Sequence, residues 1–110
     1  MLQSKHRELI VMEFEIKEND DVITIAVIGE INLYTSKDFK NTLFEISQTK
    51  DKTMDIDFSQ VDYMDSAGIG VLLSLYKIQN KRGKKLIISN ANEDIINFIR
   101  LSNLSELLEA

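Results

Sequence analysis

Apolar and polar residues alternate from Val11 to Lys17, with Met12, Phe14 and Ile16 on one side and Glu13, Glu15 and Lys17 on the other. A period of two is the mark of a strand with one buried face. The turn-forming run Glu18-Asn19-Asp20-Asp21 comes next, then the β-branched run Val22 to Ile28, which suits a more buried strand. Two strands joined by so short a polar turn are expected to pair antiparallel. Gly29 breaks the second strand, and Thr35 or Ser36 is placed to cap a helix with Asp38 in its first turn. Phe39, Leu43 and Ile46 then recur at helical spacing, with Phe44 beside them.

Alternation returns from Thr53 to Phe58, where Met54, Ile56 and Phe58 oppose Asp55 and Asp57, and predicts a third strand. From Ser66 to about Arg82 the spacing predicts the longest helix. Its apolar stripe reads as Ile69, Leu72, Leu73 and Tyr76, and Gly83 sits where a left-handed C-terminal cap is wanted. Leu86 to Ile88 reads as a short buried strand. Asn92, with Glu93 and Asp94 behind it, opens a helix carrying Ile95, Ile96, Phe98 and Ile99, and a last short helix is expected over Leu104 to Leu108. The order β-β-α-β-α-β-α-α predicts an α/β fold: a mixed, mostly parallel four-stranded sheet with an N-terminal hairpin. Three to four helices are expected on one side of it or both.

At 110 residues the chain is expected to form one domain. Residues 1–10 read as an N-terminal extension able to join the first strand, and residues 11–110 as the domain proper. A composition 44% hydrophobic and 28% charged is that of an ordered globular chain. The net charge of -5 argues against nucleic acid or an anionic membrane as partner, since both select basic patches. Lys81-Arg82 and Lys84-Lys85 flank a turn and are expected to stay solvated. Cysteine is absent and His6 is the only histidine, which removes disulfides, thiolate or histidine-rich metal sites and a cysteine nucleophile. No cofactor is expected. The apolar stretch Leu9 to Met12 is too short for a signal peptide's core or a membrane span, so a cytoplasmic protein is expected.

One segment is locally inconsistent: Val61-Asp62-Tyr63-Met64-Asp65-Ser66-Ala67-Gly68-Ile69-Gly70-Val71-Leu72 runs from a strand into a helix and carries two glycines in the first turns. Glycine in a helix interior costs about 0.5 to 1 kcal/mol relative to alanine. One reading is access, with the missing side chains letting another molecule approach Ser66 closely. The other is that Ser66 is only an N-cap, contributing about 1 kcal/mol, and that the glycines only let the helix pack tightly on a neighbour. The residues alone leave both open. A nucleophilic-enzyme reading lacks a base, and Met64 occupies the first glycine position of a Gly-x-Ser-x-Gly elbow, so no enzyme activity is expected.

Asp65-Ser66-Ala67-Gly68-Ile69-Gly70 resembles the phosphorylation motif of the anti-sigma factor antagonists, the SpoIIAA and RsbV type of STAS domain. That motif reads Asp-Ser-(Ser or Thr)-Gly-(aliphatic)-Gly. Gly29-Glu30-Ile31-Asn32 resembles the family's Gly-Glu-(aliphatic)-Asp segment after the second strand, and Ile56-Asp57-Phe58 its third strand. Lys81-Arg82-Gly83 with Leu86-Ile87-Ile88 is similar to its entry to the fourth strand. The likeness runs from about Met12 onward, with Asn32 where many members carry Asp and Ala67 in place of the usual second hydroxyl residue.

The resemblance implies a single SpoIIAA-like STAS domain, a monomer or weak dimer, that is phosphorylated on Ser66. It implies as partners an anti-sigma factor serine kinase, which brings the ATP and Mg²⁺, and a metal-dependent serine phosphatase. The unmodified antagonist binds the kinase and frees sigma factor, and the phosphorylated form does not. The implied partner surface is Glu30, Asn32, Tyr34, Asp62, Asp65, Ala67, Gly68, Ile69 and Gly70. The alternative is a non-switch STAS module, either a signalling scaffold or an accessory subunit of a transport system.

Overall fold

The computed structural model describes residues 12–108. The expected extension over residues 1–10 and a strand start at Val11 lie outside them. Strand β1 (Glu13–Glu18) is followed by β2 (Val22–Ile28), helix α1 (Ser36–Thr49), β3 (Thr53–Gln60), α2 (Ser66–Lys81), β4 (Leu86–Ser89) and α3 (Glu93–Leu101). The last expected helix is a 3-10 turn, Ser105–Leu107, after which Leu108 forms a single parallel bridge with Ile88. The sheet order is β1-β2-β3-β4, with β1 antiparallel to β2 and the other pairs parallel.

Parallel neighbours need a crossover, and α1 and α2 supply the two crossovers. Burial shows which face they cover. Ile23, Ile25 and Val27 of β2 and Met54, Ile56 and Phe58 of β3 are at most 1% exposed, whereas the alternate residues Thr24, Ala26, Asp55 and Asp57 are only half-buried. The helical residues Phe39, Leu43, Leu72, Leu75, Ile95 and Ile99 join that row in one core cluster. The described helices therefore all pack on one side of the sheet. Burying each such side chain contributes about 1.5 to 3 kcal/mol. On the edge strand β1, Phe14 and Ile16 share the core face with Val27 and Ile25, yet Ile16 is 50% exposed. The alternation set the face correctly, but the helices do not reach that far.

The stripe expected on α2 is rotated. The buried residues are Gly68, Val71, Leu72, Leu75 and Gln79, while Leu73 is exposed and Ile69 and Tyr76 are half-buried. Helix α2 is apolar over a wide arc, and the expected stripe lay toward one edge of that arc; the buried face is the one opposite the exposed Ser66, Ser74, Lys77 and Lys81. Its register is set at the far end by Gln79. The amide oxygen of Gln79 accepts from Ser47 Oγ at 2.9 Å, and its Nε2 donates to the carbonyls of Lys52 and Lys85 at 3.2 and 3.0 Å. One fully buried amide thus ties α1 to α2 and to the entries of β3 and β4, with its polar atoms satisfied. Arg82 is not merely solvated, since its guanidinium donates to the Ser47 carbonyl. Gly83 takes φ +69° after α2, as its place in the sequence requires.

Candidate functional site

The C-terminal ends of β2 and β3 hand over to two loops, residues 29–35 and 61–65, which are joined backbone to backbone. Ile31 and Met64 form an isolated parallel bridge, Ile31 N donates to the Tyr63 carbonyl at 2.9 Å, and Asp65 N donates to the Ile31 carbonyl at 3.0 Å. Gly29 opens the first loop at φ +126°, a conformation that excludes side chains. The start of α2 is therefore held by the loop that precedes α1.

Ser66 is not the cap of α2. Asp65 holds that position in extended backbone, and its carboxylate accepts from Ala67 N at 2.9 Å. Ser66 is the first helical residue and is exposed. Since Asp65 makes the cap bond, the serine hydroxyl is not needed to start the helix.

The two glycines of the segment have different surroundings. Gly68 is buried, and a Cβ there would come within 2.6 Å of Met64 Cγ, 2.7 Å of Ile31 Cγ2 and 2.8 Å of Met64 Sδ. Its missing side chain is room for the bridged loops. Gly68, expected on the partner surface, is buried and faces the interior. Gly70 is exposed, and a Cβ there would meet nothing within 4 Å.

In the first loop Asn32 closes the turn that leads into α1, whose N-cap position is held by Thr35. Asn32 Oδ1 accepts from Tyr34 N at 2.8 Å and Thr35 N at 3.1 Å, and the Asn32 carbonyl accepts from Ser36 N at 2.8 Å. Thr35 makes no side-chain cap bond; its hydroxyl donates to the Glu30 carbonyl at 2.7 Å and accepts from Asn32 N at 2.9 Å. A carboxylate at position 32 could accept the same bonds. Only an amide, though, can also donate to Glu30 Oε1, as Asn32 Nδ2 does at 3.3 Å.

Glu30, Tyr34 and Asp62 are exposed, Asn32, Asp65, Ala67 and Ile69 half-buried. The structure brings them to the same end of the sheet as Ser66. Sequence reasoning missed the contribution of α3. An open groove of about 510 Å³ beside Ser66 is lined by Asp62, Tyr63, Met64, Asp65, Asp94, Ile95 and Phe98. Asn92 fixes this approach, capping α3 through Ile95 N at 2.9 Å and reaching the Asp62 carbonyl with its Nδ2 at 3.3 Å. The charged residues lining the groove are all acidic. Leu33, Tyr34 and Tyr63 stand 73%, 76% and 51% exposed in the two loops. Tyr34 was among the expected surface residues; for Leu33 and Tyr63 the signal available was a large apolar residue in non-periodic loop sequence.

Asp57 lies on the open face of the sheet, apart from the groove. Partial burial opposes its ionisation, but bonds from Ser59 N and Asn90 Nδ2 outweigh that and hold its carboxyl below the usual range. A second groove of about 430 Å³, lined by Tyr76, Lys84, Lys85, Leu86 and Glu106 among others, lies along β4 and the C-terminal turn. Among the described residues no group of three or more His, Asp or Glu could hold a metal, and no helix is long and apolar enough to cross a membrane.

Residues 13–109 match the model of the STAS domain family. The chain is 35% identical over 100 residues to the anti-sigma-B factor antagonist of Listeria monocytogenes, covering 89% of this chain and 87% of that one. Its fold is similar to that of the anti-sigma factor antagonist SpoIIAA in its unphosphorylated form, with TM-score 0.76, 16% identity and 88% and 86% of the two chains covered. It is likewise similar to the Bacillus cell fate determinant SpoIIAA in its phosphorylated form, with TM-score 0.71, 16% identity and 88% and 89% covered.

Proposed function

This chain belongs to the STAS domain family, and we propose that within it the chain is an anti-sigma factor antagonist switched by phosphorylation of Ser66. The observation that carries the reading is the exposed hydroxyl of Ser66, set in Asp-Ser-x-Gly-x-Gly at the first turn of α2 and spared from capping by Asp65. The relatives' role as antagonists supports an anti-sigma factor as partner.

The partner kinase brings ATP and Mg²⁺. The transfer forms a bond from Ser66 Oγ to the γ-phosphorus and breaks the bond to the ADP oxygen, and the hydroxyl proton passes to a base of the kinase. A metal-dependent phosphatase returns the serine by hydrolysis, releasing inorganic phosphate.

A phosphate adds about -1.5 to -2 charges at neutral pH. At the N-terminus of α2 the helix dipole favours that charge, so the domain stays folded. Asp62, Asp65 and Asp94 around the groove already make this end acidic, so added charge deepens the potential that the partner meets. A partner that accepts the unmodified face is repelled by the modified one, and like-charge juxtaposition costs several kcal/mol. Leu33, Tyr34 and Tyr63 supply the exposed apolar area from which interface hot spots are made.

The test incubates the chain with the anti-sigma-B factor of Listeria monocytogenes and Mg-ATP, then locates phosphate by mass spectrometry and measures binding before and after. Phosphate on Ser66 together with loss of binding is expected. Binding that survives full phosphorylation, or no phosphate on Ser66, refutes the switch and leaves the non-switch module.

A further inference from the structure

We propose that Gly70 is the access residue of the modification site: it lacks a side chain because one there would shield Ser66 from its partner enzymes, although this chain's own fold would accept it. The inference rests on the reading of Ser66 as a phosphorylation site. A helix-interior glycine is destabilising, and internal packing is the usual compensation. Gly68 has that compensation, with three heavy atoms inside 3 Å of an added Cβ. Gly70 has none. It is exposed, an added Cβ meets nothing within 4 Å, and its φ is not among the positive ones that demand glycine.

Its position says what the space is for. Residues four apart lie on one helix face, so Gly70 stands one turn above Ser66. Helical side chains lean back over the turn that precedes them. A side chain at position 70 therefore covers the turn that begins at Ser66 and Ala67. The kinase, which must bring the γ-phosphorus of ATP to Oγ, and the phosphatase, which must bring water to the same phosphorus, both need that surface clear. Further up this exposed side stand Leu73, which is large, and Ser74, so Gly70 is the one position there with no side chain at all.

Because stability and access respond with opposite signs, Gly70→Ala separates them. The variant is expected to melt roughly 2–8 °C above wild type, from the helix propensity gained. Its rate of Ser66 phosphorylation by the Listeria monocytogenes anti-sigma-B factor with Mg-ATP, and its affinity for that protein, are expected to fall roughly 5- to 100-fold. Gly70→Leu is expected to lose both almost completely while remaining folded by circular dichroism. Wild-type rate and affinity in Gly70→Ala overturn the inference and leave the switch standing. A lowered melting temperature also overturns it, since the fold would then need the glycine. If the wild type itself takes no phosphate, the functional reading fails and this one with it.

Discussion

Gly68→Ala tests whether the start of α2 is set by the two bridged loops. The added Cβ lies 2.6 and 2.8 Å from Met64 Cγ and Sδ and 2.7 Å from Ile31 Cγ2, all closer than carbon atoms tolerate. Met64 is flexible in principle, but it is 4% exposed and its backbone is bridged to Ile31. Ile31 is fully buried and β-branched, so its rotamer is fixed. Neither side chain can turn away, and α2 must move off the loops. Overpacking of this kind costs about 1 to 3 kcal/mol, against about 0.5 to 1 kcal/mol gained in helix propensity. The net is a loss near 1 kcal/mol, which lowers the melting temperature of a domain this size by roughly 4–8 °C. Thermal unfolding followed by circular dichroism measures it. Met64→Ala in the same chain reopens the space, so the double variant should recover part of what Gly68→Ala loses, a coupling that a cycle of the four proteins reads directly. A Gly68→Ala protein as stable as wild type, or simple additivity in the cycle, would refute the account of why this glycine is there.

Ser66→Asp is expected to abolish anti-sigma factor binding in a pull-down while shifting the melting temperature by no more than a few degrees, because a first-turn carboxylate is favoured by the helix dipole and opposed by Asp62 and Asp65. Ser66→Ala should bind and resist phosphorylation. Asp65→Ala removes the cap bond to Ala67 N and is expected to cost about 1 kcal/mol, with Asp65→Asn recovering most of it; equal stability of the two would show that the cap contributes nothing. Asp57, whose folded pKa is depressed, adds stability that is present above its unfolded value near 3.8 and lost as pH falls through the lower folded value. Asp57→Asn should therefore flatten the fall in melting temperature below about pH 4, and an unchanged acid limb would contradict that assignment.

Much of the architecture was legible because its causes are local. The β-branched run of β2, the alternation in β3, the turn at Glu18 to Asp21, the Asn92 cap and the left-handed Gly83 depend on residues within a turn of one another, and each element forms in the structure. The site was legible in part. The motif and the loop after β2 marked Ser66 and Asn32, yet the division of labour among Asp65, Ser66, Gly68 and Gly70 was not readable. For the two glycines it turns on which atoms lie beside each Cα: Ile31 and Met64 crowd Gly68, and nothing crowds Gly70.

By itself, the amino-acid sequence determined the order of the strands and main helices, the inward faces of β1 and β3 and the placement of a serine at a strand-to-helix junction, since periodicity and capping act over a few residues. Only the tertiary structure decided the rotation of α2, the burial of Gly68 against the exposure of Gly70, and the arrival of Asp94 and Phe98 beside Ser66. Those features depend on contacts between segments far apart in the chain. The polar stripe of α2 marks its outer side, but which part of its wide apolar arc is covered depends on where the neighbouring segments lie.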